Sequence, residues 1–234
     1  MSTRLIVDEH SEIREGRTDA PQPQPAVIRV VATVLSYVFH PLFIPVYIIA
    51  FLMVVHPYFF DNATPMKKMI NLLRFFIMYS FFPLVTVLLA KALDFLESIH
   101  LKTQRERIIP YIASGIFYFW MSYVLRNQPE FSKEIVQLSI AIFLASSIGL
   151  LVNIYMKVSM HAMAMGILVF FIGMLALNQP MSYSVYLSMA ILIAGLVCTA
   201  RLIVSDHSTK EIYTGLLVGG ISMLLAVWVD GILP

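Results

Sequence analysis

The sequence predicts an all-α polytopic transmembrane bundle of about six or seven spanning helices. Three observations carry that prediction. The chain is 59% hydrophobic and only 13% charged, against about 25% charged residues in a soluble domain. Its mean hydropathy is +0.81. Its apolar residues gather into runs near the roughly 20-residue length that a bilayer requires, separated by short polar connections. A length of 234 residues suits one such domain, and a net charge of +2 gives no reason to expect a nucleic-acid partner.

The runs fall at residues 30–55, 69–92, 108–125, 134–156, 159–177, 184–204 and 212–232. The first is interrupted by "HPLFIP", residues 40–45. Two prolines so close together kink or break a helix. Residues 27–39 are then free to lie along the interface while 42–59 cross. The connections "HPYFFDNATPMKK", "ESIHLKTQRER", "RNQPEFSKE", "NIYMK", "NQPMS" and "SDHSTKE" are polar and short. Residues 1–26 are polar, carry both charge signs and include "APQPQPA". They read as a flexible N-terminal tail, leaving 27–234 as one transmembrane domain. The tail lacks the basic start and immediate apolar stretch of a signal peptide, so the first apolar segment is expected to remain as an anchor. The single cysteine, Cys198, lies within an apolar run and reads as a buried thiol.

Counting crossings assigns the loops to faces. With the N-terminus on side A, the loops at 97–107, 156–158 and 205–211 all return to side A. Side A therefore gathers Lys102, Arg105, Arg107, Lys157, His161, Arg201, His207 and Glu211. Cations and histidines from three separate loops point to an anion site. The remaining basic residues divide evenly between the two faces, so the positive-inside rule gives no orientation.

The last block, "RLIVSDHSTKEIYTGLLVGG" (201–220), is the richest in chemistry. If 207–211 begin the final helix, His207 and Glu211 share a face. A carboxylate beside an imidazole fixes its tautomer and stabilises its cation. Arg201 offers a forked guanidinium suited to phosphate, and Ser208 or Thr209 can cap the helix. The simpler account of any one of these residues is a snorkelling polar loop. In the middle block, "KVSMHAMAMG" (157–166), Lys157, Ser159 and His161 open a span. Together they form a candidate phosphate cradle with a proton donor, although Ser159 serves equally as a helix cap. In the first block, "LKTQRERIIP" (101–110), Lys102, Arg105 and Arg107 are equally the usual anchors of a helix end.

These three blocks resemble those of the type 2 phosphatidic acid phosphatase family: Lys-x6-Arg-Pro, Pro-Ser-Gly-His and Ser-Arg-x5-His-x3-Asp. Arg201-x5-His207-x3-Glu211 has the third spacing, Ser159-Met160-His161 matches part of the second, and Lys102, Arg105 and Arg107 match the first loosely. The resemblance covers roughly residues 100–220. Glu211 stands where the family has Asp, and Met160 where it has Gly. The resemblance implies a cofactor-free, metal-independent hydrolysis of a lipid phosphate or pyrophosphate through a phosphohistidine. His207 would be the nucleophile, Glu211 its orienting carboxylate and His161 the acid. Arg201, Ser159, Lys102, Arg105, Arg107 and Lys157 would bind phosphate. The substrate would be phosphatidate, phosphatidylglycerol phosphate or a polyprenyl pyrophosphate, drawn from the lipid bilayer. By analogy with bacterial members, the location would be the inner membrane.

Other readings stand beside this one. A catalytically inactive member would bind lipid phosphate or act as a subunit of a membrane complex; Met160 favours it. Assembly as a homo-oligomer is open under either reading. A transporter would place charges through the bilayer centre rather than at one face. A zinc site built on His161, His207 and Glu211 would sit among repelling cations. His40, on the broken first segment, either borders the pocket or belongs to a simple kink.

Overall fold

A computed structural model of the chain describes residues 3–7, 13–17, 24–60, 63–96, 101, 103–204 and 207–232. Eight helices account for most of it: α1 Ala26–Val38, α2 Ile44–Val55, α3 Pro65–Ala92, α4 Gln104–Arg126, α5 Lys133–Tyr155, α6 Met160–Asn178, α7 Ser184–Val204 and α8 Thr209–Ile232. The last six are long and apolar enough to cross a membrane, and the chain is an integral membrane protein of all-α class.

The first apolar run does not form one helix. It becomes α1 (13 residues) and α2 (12 residues), separated by residues 39–43. At 1.5 Å per residue each is under about 20 Å long, too short to cross alone. Pro41 disfavours helical geometry at His40, and Pro45 starts α2 in the first turn, where its missing N–H costs nothing. Carbonyls released by the break find partners elsewhere. Tyr47 Oη donates to the Val38 carbonyl at 3.0 Å, and Ser80 Oγ of α3 donates to that of Leu42 at 2.7 Å. Irregular backbone inside an apolar bundle requires such satisfaction.

Residues 1–26, expected as a flexible tail, contain in their described part an antiparallel ribbon. Thr3–Val7 pairs with Ile13–Arg17, with Val7 opposite Ile13. Thr3, Ile6, Val7 and Ile13 are β-branched and favour strands, a local signal hidden by the polar average of the segment.

Within α3, residues 77–81 form a π-helical turn. Pro83, two residues beyond the turn, cannot donate to the Tyr79 carbonyl. Tyr118 Oη of α4 donates to that carbonyl at 3.3 Å instead. The Tyr79 hydroxyl donates to Ser139 Oγ of α5 at 2.6 Å in the buried interior. One apolar core runs through the bundle from Ile44 of α2 to Ala226 of α8.

Helix α6 packs along α8 and α7, α5 lies between α4 and α8, and α1 leans on α7. The α6–α8 seam is a backbone contact. A Cβ added to Gly219 would lie 2.1 Å from the Met163 carbonyl oxygen, and one added to Gly166 would lie 2.4 Å from that of Leu216. Only glycine permits this approach. The seam sets the distance between the starts of α6 and α8, which carry the second and third sequence blocks.

Candidate functional site

Three braces assemble one end of the bundle. Thr103 caps α4 in a reciprocal box with Glu106. One turn on, Arg107 is buried; its Nε donates to the Leu101 carbonyl at 2.9 Å and its Nη1 to that of Val158 at 2.6 Å. The guanidinium thus ties α4 to the α5–α6 loop. Gln104 and Asn153 add a paired brace, each side-chain amide donating to the other's carbonyl at 2.8 Å. Finally, the Ser159 N–H donates to the Glu211 carbonyl at 3.2 Å, tying α6 to α8.

The start of α8 is a second capping box. Glu211 N–H donates to Ser208 Oγ at 3.3 Å, and Ser208 N–H donates to Glu211 Oε2 at 3.4 Å. The same carboxylate oxygen lies 2.6 Å from His207 Nδ1. The expected His207–Glu211 pair therefore forms, although by a different geometry. His207 precedes the cap and is not helical; Glu211 reaches back over the helix end. With Nδ1 carrying the hydrogen shared with the carboxylate, Nε2 presents its lone pair. The His207 side chain is only 5% exposed. Burial, together with the cations Arg107 and Lys157, holds its pKa below the ordinary imidazole value against the opposing pull of Glu211. The ring is neutral near pH 7, as a nucleophile requires.

A cavity of about 700 Å³ opens beside this pair. Its polar wall brings together Arg107, Lys157, His161, Arg201 and His207, one or more from each of the three blocks. Arg201 lies close enough to Arg107 and His161 for their charges to interact. Two cations facing one small volume repel unless an anion lies between them. Another part of the wall is apolar: Leu42, Ile48, Val87 and Ile142 come from the break, α2, α3 and α5.

Not every expected residue reaches the cavity. Ser159 is fully buried, and its Oγ accepts from the Ala162 N–H at 3.4 Å. It caps α6 and is not part of the cavity wall, so the capping account of this residue is the one the structure supports. Arg105 is exposed on the first turn of α4, outside the wall. Arg107, the deeper of the two arginines, is the one that faces inward. Lys102 lies outside the described residues. Met160 lines the cavity beside His161.

The sequence left His40 open between kink and pocket; it lines the cavity, its ring 5.3 Å from that of His161 and nearly perpendicular to it. Tyr111 and Ser114 of α4 also line it, and the sequence reading did not single them out. Their spacing from Arg107, four and seven residues along one helical face, would have pointed to them. Among the described residues, no three histidine, cysteine, aspartate or glutamate side chains converge to hold a metal ion.

No protein-family profile, curated protein or solved structure matches the chain. The functional reading therefore rests on the residues and their geometry.

Proposed function

We propose that the protein is a membrane phosphatase of the type 2 phosphatidic acid phosphatase kind, acting on a lipid phosphate or pyrophosphate. One observation supports this above the others. A single cavity joins the His207–Glu211 pair, His161 and three cations to an apolar wall formed by α2, α3 and α5. An anionic head with a hydrocarbon tail complements such a cavity on both counts.

The chemistry follows from the side chains. His207 Nε2 attacks phosphorus and forms a P–N bond as the bond to the leaving oxygen breaks. His161, which takes up a proton once the anionic head enters the cavity, gives that proton to the leaving oxygen. Water then attacks the phosphohistidine, His161 takes a proton from it, and the P–N bond breaks to release phosphate. Glu211 orients His207 and stabilises the positive charge the ring acquires. Arg107, Arg201 and Lys157 balance the charge building on the phosphoryl oxygens. Every step uses side chains of the chain itself.

The test is phosphate release by purified protein in detergent with chelator present, from phosphatidate and from a polyprenyl pyrophosphate. Wild type should release phosphate and His207→Ala should not. Two observations favour a second reading, an inactive protein that binds lipid phosphate: Ser159 Oγ is committed to capping, and Met160 rather than glycine lines the cavity. Binding without release, lost in Arg201→Ala, would establish that reading.

A further inference from the structure

The break between α1 and α2 lies outside all three sequence blocks, yet it supplies two contacts to His161. In a continuous helix the Ser36 carbonyl would accept from the His40 N–H four residues on. Pro41 draws His40 out of helical geometry, and the His40 N–H donates to the Tyr37 carbonyl at 3.3 Å instead. The Ser36 carbonyl is thereby released, and His161 Nε2 lies 3.0 Å from it. A carbonyl oxygen only accepts, so this contact places the hydrogen on Nε2 and leaves the lone pair of the neutral ring on Nδ1. The His40 ring meets His161 edge-on, with centroids 5.3 Å apart and planes at 79°. The Leu42 N–H donates to His40 Nδ1 at 3.4 Å, holding that ring in turn.

We propose that His40 is a positioning residue. Its ring keeps His161 against the Ser36 carbonyl, so that Nδ1 is the atom of His161 that binds and releases a proton. The proline break is the device that makes this possible, since it both frees the carbonyl and delivers the ring. The other charged and titratable groups near His161 are Arg201 of α7, His207 at the entry to α8, and Arg107 and Lys157 across the cavity. Arg107, Lys157 and Arg201 are donors only; His207 Nε2 carries a lone pair, but the contact made by His161 Nε2 is to the Ser36 carbonyl. What the proton does rests on the phosphatase reading; where the hydrogen sits does not.

The test is 15N-histidine NMR of the full chain in detergent micelles, with His161 assigned by His161→Gln and His56 serving as a reference for an intact fold. Wild type should show His161 as a single Nε2–H tautomer with a pyridine-like Nδ1 signal. His40→Phe, which keeps the ring, should retain that pattern. His40→Ala should lose it to a tautomer mixture while the His56 signals stay in place. A His161 found as Nδ1–H in wild type overturns the proposal, as does an unchanged pattern in His40→Ala. Inorganic phosphate added to the same samples tests the other reading separately. If the His207 signals do not move, the anion site fails while the tautomer result still decides the role of His40.

Discussion

Replacing Gly219 by alanine tests whether the α6–α8 seam sets the geometry of the site. The added Cβ would sit 2.1 Å from the Met163 carbonyl oxygen, 2.9 Å from the Ile167 nitrogen and 3.0 Å from the Gly166 Cα. All three neighbours are backbone, so no rotamer change relieves the clash, and the helices must separate by roughly 1 Å to restore ordinary contact. Overpacking of this kind costs about 1–3 kcal/mol. At roughly 2–4 °C per kcal/mol for a chain of this size, the melting temperature in detergent should fall by about 5 °C. Gly195 and Gly231 have nothing within 4 Å of an added Cβ. Alanine there should be neutral or slightly stabilising, because glycine inside a helix is unfavourable by about 1 kcal/mol. Since α6 carries His161 and the start of α8 carries the His207–Glu211 pair, the separation should also lower phosphate release, on the order of 100-fold for a 1 Å misplacement. Equal melting of Gly219→Ala and Gly195→Ala would refute the close-packed seam. A lowered melting temperature with unchanged turnover would refute its role in setting the site.

Further expectations concern single side chains. Glu211→Gln keeps a residue able to complete the capping box but removes the charge facing His207, so turnover should fall while the melting temperature stays within a few degrees; Glu211→Ala should lose both. Arg107→Lys cannot hold the Leu101 and Val158 carbonyls with one planar fork. It should destabilise by about 1–3 kcal/mol, read as a lower denaturation midpoint, with weaker phosphate binding. Tyr79→Phe leaves Ser139 Oγ without its 2.6 Å partner and should cost about 1–3 kcal/mol by thermal melting. His207 carries a pH prediction. Its folded pKa is depressed to about 4, below that of the unfolded chain, so the unfolded state takes up the proton first. Its contribution to stability is present above the ordinary imidazole pKa of about 6.5 and is lost as pH falls towards 4. The acid limb of phosphate release should accordingly lie below 6.5, and the loss of stability between pH 6.5 and 4 should be smaller in His207→Ala, read as its denaturation midpoint against pH.

Much of this architecture is written in the chain itself. Apolar runs of bilayer length define six spanning helices because lipid leaves the backbone no partners outside the helix. The spacing of His207 and Glu211 forecasts their pairing, and the proline pair at 41 and 45 forecasts the break. Local pattern could not say which polar residue of a block would face inward. Arg105 and Arg107 are two residues apart on one helix, and only the packing of α4 against the Val158 loop buries the second and leaves the first exposed. Ser159 has the chemistry of a phosphate ligand and of a cap, and only its complete burial beside the Ala162 N–H shows it to be the cap. His40 lies 121 residues from His161 in sequence, and no periodicity joins them. Their meeting depends on where a broken helix docks against two others, a matter of packing that no single segment encodes.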